Sequence, residues 1–168
     1  MNVFGGLVAT LMFDSQGRIM CISGNVVGFR LLLMDADTLE ILSEDKVTCV
    51  KATLIYTVFN DLDVITRSVK IENGSKHSVD LDRVFSACVD LPSMDFDLVT
   101  LFGRHAKERS REKRPLAHGL QGIASKRGSS SHTQNPFAAL VRHGADEDSG
   151  DVYGFNFVYS GNFVFEAE

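Results

Sequence analysis

The sequence contains no tryptophan and three tyrosines among its 168 residues. Free-standing sugar-binding modules usually present flat aromatic rings to pyranose rings. Here Tyr56, Tyr153, Tyr159 and the phenylalanines are the rings available for that purpose. Because core packing normally uses most aromatic rings, this scarcity argues against such a module.

Cysteine is also scarce, and its spacing argues against two kinds of stabilising site. Cys21, Cys49 and Cys88 are odd in number, lie far apart and form no CxxC pair. The sequence therefore favours three reduced, mostly buried thiols over a disulfide framework or a zinc site. No short metal-ligand spacing occurs among the histidines, which are His77, His105, His118, His132 and His143. We expect neither a bound metal nor a cofactor.

Long apolar runs and an excess of positive charge are missing as well. No run reaches the roughly 18 apolar residues of a membrane-spanning helix. Residues 3–13 lack the basic start and the small-residue cleavage site of a signal peptide. The formal net charge of −5 argues against nucleic acid as a partner. We expect a cytoplasmic protein that binds neither nucleic acid nor membrane.

Strand patterns dominate what remains, since helical periodicity is hard to find. The strongest hairpin signal is Asn73-Gly74, which predicts that residues 63–72 pair with residues 79–89. The other predicted strands are 7–13, 18–22, 26–33, 47–59, 94–102, 116–125, 136–142, 152–159 and a last one from 163. The sequence thus predicts an antiparallel all-β fold of the β-sandwich type. The last strand begins so near the final residue that we expect a fragment of a longer protein.

A basic run over residues 104–114 is the most conspicuous charged feature, with six Lys or Arg residues against Glu108 and Glu112. Stacking of bases needs aromatic side chains, and this run contains none. We interpret it as a solvated connector or as an intersubunit ion-pair surface. RNA binding is the minor alternative.

Two further groups resemble catalytic constellations without completing one. Ser129, Ser130, Ser131 and His132 lack the GxSxG elbow of a nucleophile, and turn residues surround them. They are interpreted as a polar loop over residues 126–135, which we expect at a domain or subunit interface. Three carboxylates, Asp90, Asp95 and Asp97, alternate with apolar residues and are assigned to a solvent-facing side. The sequence therefore offers no catalytic, cofactor-binding or metal-binding residue.

Several stretches together resemble the amino-terminal domain of the melibiase-type α-galactosidases, a family of glycoside hydrolases. They cover residues 37–168 in the family's order, whereas residues 1–36 match poorly and form a separate segment. The stretches are residues 38–41 (TLEI), 54–59 (LIYTVF), 63–73 (DVITRSVKIEN), 83–97 (RVFSACVDLPSMDFD), 104–140 (which ends in RGSSSHTQNPFAAL) and 152–163 (VYGFNFVYSGNF).

The resemblance implies part of a β-supersandwich domain that precedes a catalytic (β/α)₈ barrel in the full enzyme. The family hydrolyses terminal α-galactosyl residues, and both of its catalytic aspartates lie on that barrel. This chain is then a structural and oligomerisation domain, inactive alone, whose partners are the barrel and other subunits. An autonomous carbohydrate-binding module remains the alternative. Cys49 stands where the family favours glycine, and residues 27–30 (VGFR) only faintly resemble a GDFRxPA-like segment, so they receive no role.

Overall fold

The computed structural model describes residues 36–59, 61–81 and 84–168, together with the backbone of residues 12–13, 19–20 and 25–32. Every element in this part of the chain is a β-strand, and all paired strands run antiparallel. The predicted all-β sandwich class is confirmed. The strands are β1 (Met12–Phe13), β2 (Ile19–Met20), β3 (Asn25–Leu32), β4 (Ala36–Glu44), β5 (Val50–Phe59), β6 (Ile65–Asn73), β7 (Phe96–Arg104), β8 (Lys107–Pro115), β9 (Gln121–Ser125), β10 (Gln134–Arg142), β11 (Val152–Asn156) and β12 (Phe163–Ala167).

The chain divides into two compact units, Met1–Leu91 and Pro92–Glu168. In the first unit, β1 pairs with β2, and a meander forms a sheet of order β3-β4-β5-β6. Leu54 on the central strand β5 is fully buried and packs against Ile41, Tyr56 and Val69. Most alternate positions of this sheet are polar, such as Lys51, Thr53 and Thr57 on β5, as expected for strands with one buried face.

The second unit contains a four-stranded sheet of order β11-β10-β7-β8 and a two-stranded sheet of β9 and β12. Phe96 and Leu98 on β7 are almost completely buried. The rings of Phe155 and Phe165 lie 5.4 Å apart and join the two sheets. Apolar side chains therefore fill the space between the sheets, which is the packing of a small sandwich.

The predicted hairpin at Asn73-Gly74 is wrong, because residues 79–81 and 84–89 form no strand. β6 pairs with β5 instead. The Asn73 side chain accepts a hydrogen bond from the Ser75 amide at 2.9 Å, and the Gly74 amide donates to the Cys49 carbonyl at 2.9 Å. The same two residues thus start an Asx turn that leads the chain into an irregular segment.

Two further strands differ from the sequence-based expectation. β4, Ala36–Glu44, was not predicted as a strand, although it pairs with β5 along nine residue positions. The basic run, interpreted as a solvated connector or an intersubunit ion-pair surface, is not a connector, because most of it forms β8 and pairs with β7. Charged side chains occupy both faces of β8, so it shows no apolar alternation. β8 is an edge strand of its sheet, and charged side chains are common at such edges.

Candidate functional site

A cluster of charged side chains lies in and around one face of the four-stranded sheet in the second unit. Lys113 on β8 lies directly opposite Val99 on β7, and Val141 on β10 lies opposite Asp97. Opposed residues of paired strands point to the same side of a sheet. We call this side the Val99 face. Arg111 also lies on it, because it is opposite Leu101.

Asp97, on the Val99 face, is the centre of an ion-pair network. Its carboxylate lies 2.9 Å from Nζ of Lys113 and 3.5 Å from Nδ1 of His143. Nδ1 of His143 also lies 3.9 Å from Asp95, whose other oxygen is 3.7 Å from Arg142. The predicted solvent-facing position is therefore wrong for Asp97, which is 8% exposed. A cation on the neighbouring strand compensates the cost of burying this carboxylate.

An acidic loop, residues 143–151, connects β10 to β11 beside this network. Oδ1 of Asp146 accepts hydrogen bonds from the amides of Asp148 and Ser149, both at 2.9 Å. The Asp148 bond is the largest cause that lowers the pKa of Asp146 below its ordinary value. The loop is therefore ordered by its own carboxylate, which stays ionised at neutral pH.

A groove of about 500 Å³ lies between β8 and the acidic loop. Arg111 and Lys113 line one wall, and Val99 and Val141 form its floor. The opposite wall consists of Ala145, Asp146, Glu147 and Asp148. The groove, which we call the charged groove, thus separates a basic wall from an acidic wall.

The polar loop over residues 126–135 is fastened to the turn that precedes β12. The Gly128 amide donates to Oδ1 of Asn162 at 2.6 Å, and the Ser130 amide donates to the Ser160 carbonyl at 2.8 Å. Order in this loop therefore comes from within the second unit. The expected position at a domain or subunit interface stays a prediction.

The candidate catalytic pair in this loop does not form. His132 is exposed, and Oγ of Ser131 is hydrogen-bonded to Oγ1 of Thr133 at 3.2 Å. Ser131 Oγ also accepts a hydrogen bond from the Thr133 amide at 3.2 Å, so this hydroxyl stabilises the loop itself. Within the described ranges, no cluster of His, Cys, Asp and Glu is suited to a metal ion.

The tyrosines differ in how far core packing uses them. Tyr56 is partly buried, and the Arg67 guanidinium lies 4.5 Å from its ring centroid. Tyr159 is 60% exposed and touches Phe157 edge-on, with ring centroids 5.7 Å apart. Tyr159 is therefore an exception to the expectation that the core uses most of these rings.

The turn from β4 to β5 contains the residue that departs from the family pattern. Asp45 accepts bonds from the amides of Val47 and Thr48 and from the Thr48 hydroxyl, the last at 2.6 Å. Cys49 then has φ = +57°, in the left-handed region. Glycine adopts this conformation without steric cost, which explains a preference for glycine at this position.

Comparisons with known proteins identify the domain. The family model of the glycosyl hydrolase family 36 N-terminal domain matches residues 24–168. The chain belongs to this family. It is 48% identical over 134 residues to α-galactosidase AgaA of Geobacillus stearothermophilus and 47% identical to α-galactosidase 1 of Pediococcus pentosaceus. Each match covers 80% of this chain and 18% of the relative, so the chain spans about a fifth of their length.

Solved structures of the family have the same fold. A crystal structure of a doubly substituted AgaA in complex with raffinose is similar to this chain, with a TM-score of 0.81 at 39% identity. The match covers 90% of this chain and 23% of that one.

In the part of the chain that the structure describes, no helix is long and apolar enough to cross a membrane.

Neither the ion-pair network nor the charged groove was found from the sequence. The signal available for Asp97 was its position two residues before Val99 on a strand whose other side is also apolar. A carboxylate in a strand buried on both sides needs a cation nearby. That cation, Lys113, lies on the next strand, within the basic run, where no apolar alternation indicates a strand.

Proposed function

We propose that this chain is a structural domain of a family 36 α-galactosidase and supplies no catalytic group itself. The observation that carries the proposal is the family match over residues 24–168 to relatives about five times as long. In the complete enzyme the domain supports a catalytic barrel that hydrolyses terminal α-galactosyl residues. It also contributes contacts between subunits.

The contacts of the described carboxylates support this proposal. Asp97 and Asp95 face Lys113, His143 and Arg142. Carboxylates of a glycosidase act on a sugar held between them, in a concave site. Here the carboxylates of the network are already engaged with cations of the same unit, so their role is to hold strands and loops together.

A domain exchange in AgaA tests the proposal. The matched 134 residues of AgaA are replaced by those of this chain, and hydrolysis of a chromogenic α-galactoside is measured. We expect the chimera to retain hydrolysis and the isolated chain to show none. Hydrolysis by the rigorously purified isolated chain contradicts the proposal. So does full activity of AgaA from which these residues are simply deleted.

An autonomous carbohydrate-binding module is the second candidate, and the exposed ring of Tyr159 is the observation that favours it. Exposed aromatic rings can stack on a pyranose ring. Calorimetric titration of the isolated chain with raffinose separates the two candidates. Micromolar binding that disappears in Tyr159→Ala favours the module, and no detectable heat favours the structural domain.

The proposed location is the cytoplasm. Cys49 and Cys88 are free thiols, as is usual in reducing compartments. Fractionation of the source cells, followed by detection of the chain with an antibody, tests this location. Recovery in the secreted fraction contradicts it.

A further inference from the structure

Both walls of the charged groove have charges that are unpaired within the described chain. Arg111 on the basic wall, and Glu147 and Asp148 on the acidic wall, make no ion pair with another described residue. All three side chains are exposed. Because these exposed charges do not pair with one another across the groove, they are available to pair with opposite charges on another molecule.

Neighbouring contacts hold both walls in place. Lys113 is bound to the buried Asp97 at 2.9 Å, and this bond fixes the strand next to Arg111. On the other wall, Asp146 receives two amide bonds from the acidic loop. The charges therefore belong to ordered backbone, so less conformational entropy is lost when they meet a partner.

The arrangement is complementary to itself. Consider a two-fold axis that runs along the strand direction through the charged groove. Rotation about this axis places the basic wall of one molecule over the acidic wall of the other, and the reverse contact forms at the same time. This is an isologous contact, the kind found in two-fold dimers. A two-fold axis perpendicular to the strands would instead place the basic wall of one molecule over the basic wall of the other.

We propose that the charged groove is a contact surface for a second copy of this chain, with Arg111 of each copy facing the acidic loop of the other. The proposal rests on the contribution to subunit contacts that we propose for the domain, and it assigns that contribution to named residues. The occupant is a second copy because the two walls complement each other in sign.

The edge of β8 is a poorer place for this contact. Two β8 strands related by a two-fold axis normal to the sheet keep their Val99 faces on the same side. Arg111 and Lys113 both lie on that face, opposite Leu101 and Val99 of β7. Antiparallel pairing therefore brings cations opposite cations, and like charges directly opposite destabilise a sheet. This repulsion disfavours a dimer in which two β8 edges pair, and it favours a dimer in which the two Val99 faces meet.

Sedimentation velocity of the purified chain measures the contact. We expect a dimer at low salt whose dissociation constant rises at least tenfold at about 1 M salt, where the Debye length is about 3 Å. Arg111→Glu should raise the dissociation constant at low salt by a similar factor. Lys107→Glu is the matched control, since it makes the same charge change on the same strand opposite Arg104, and it should have no effect.

A double variant in which the two opposite charges are exchanged provides the decisive test. Adding Asp148→Arg to Arg111→Glu restores the complementarity of the walls, and we expect the double variant to recover most of the lost association. If Arg111→Glu fails to fold by circular dichroism, Arg111→Gln replaces it. A chain that is monomeric at every concentration and salt overturns the proposal, and so does a dimer that responds equally to Arg111→Glu and Lys107→Glu. Either result leaves the galactosidase readout of the AgaA chimera unchanged, so failure of this surface is distinct from failure of the proposed function.

Discussion

Nζ of Lys113 lies 2.9 Å from Oδ2 of Asp97, diagonally across the paired strands β7 and β8. The Asp97 side chain is 11% exposed and that of Lys113 is 41% exposed. The lysine thus compensates a nearly buried carboxylate while its own stem lies at the surface. This pair joins the edge strand to the buried centre of its sheet.

Removal of the lysine should destabilise the second unit. In Lys113→Met the carboxylate of Asp97 keeps only the more distant His143, so we expect a loss of about 1–3 kcal/mol in the free energy of unfolding. Urea denaturation measures the change. The control is Lys107→Met, an exposed cation at the start of the same strand, which should cost less than about 0.5 kcal/mol. Equal losses in both variants contradict the importance of the pair.

Cys49→Gly should stabilise the turn between β4 and β5. The left-handed conformation at φ = +57° costs a residue with a Cβ about 1–2 kcal/mol, and glycine avoids this cost. Glycine also has more freedom in the unfolded chain, so we expect a net gain of about 0.5–1 kcal/mol. The thermal midpoint measures it. Cys49→Ala, which removes the thiol and keeps the Cβ, should show no such gain, and a gain as large in alanine refutes the conformational explanation.

Gly122→Ala should disrupt the pairing of β9 with β12. A Cβ at this position would overlap the carbonyl oxygen of Phe165 on the facing strand. Because the obstacle is backbone, the strands must separate, and we expect a loss of at least about 2 kcal/mol in the free energy of unfolding. Gly154→Ala on β11 is the matched change, since a Cβ there meets no atom within 4 Å. Hydrogen exchange of the β12 amides should increase in the first variant alone.

Acid should weaken the turn that Asp45 holds. The Thr48 hydroxyl is the main cause that lowers the pKa of this carboxyl below its ordinary value of 3.8. Because the pKa of Asp45 is lowered in the folded state, the contribution of this carboxylate to stability is fully present above pH 3.8. It is lost as the pH falls through the lower pKa of the folded state. Asp45→Ala should therefore have a lower urea midpoint than the wild type at neutral pH, and the two midpoints should converge in acid. The exposed Asp61→Ala should follow the wild type throughout, and a constant gap between Asp45→Ala and the wild type contradicts this account.

The positions of most strands could be predicted from the sequence because their side chains alternate. The pattern located β5, β6, β7 and β10 to within about three residues, since each strand has apolar residues at the spacing of a pleated sheet. It failed for β8, where Arg111 and Glu112 are charged residues on opposite faces. Hydrophobic alternation cannot indicate a strand in which every side chain before the final Pro115 is polar.

The wrong hairpin at Asn73-Gly74 has a related cause. A type I′ turn and an Asx turn can begin with the same two residues, so the local sequence does not decide between them. In this protein a distant contact decides, because the Gly74 amide donates a hydrogen bond to the Cys49 carbonyl at 2.9 Å. The pair of Lys113 with Asp97 is equally non-local. Both depend on which strands are neighbours, and that order follows from the whole chain.

The pairing of β9 with β12 has a consequence for when the second unit can fold during synthesis. β10 and β11 lie between these two strands in the sequence, and Ser125 pairs with Phe163. Closure of so long a loop costs more entropy than a hairpin and is slow to form. On the ribosome, β9 therefore emerges well before its hydrogen-bonding partner has been synthesised. Pairing of β9 with β12 therefore waits until residues 163–167 have been synthesised.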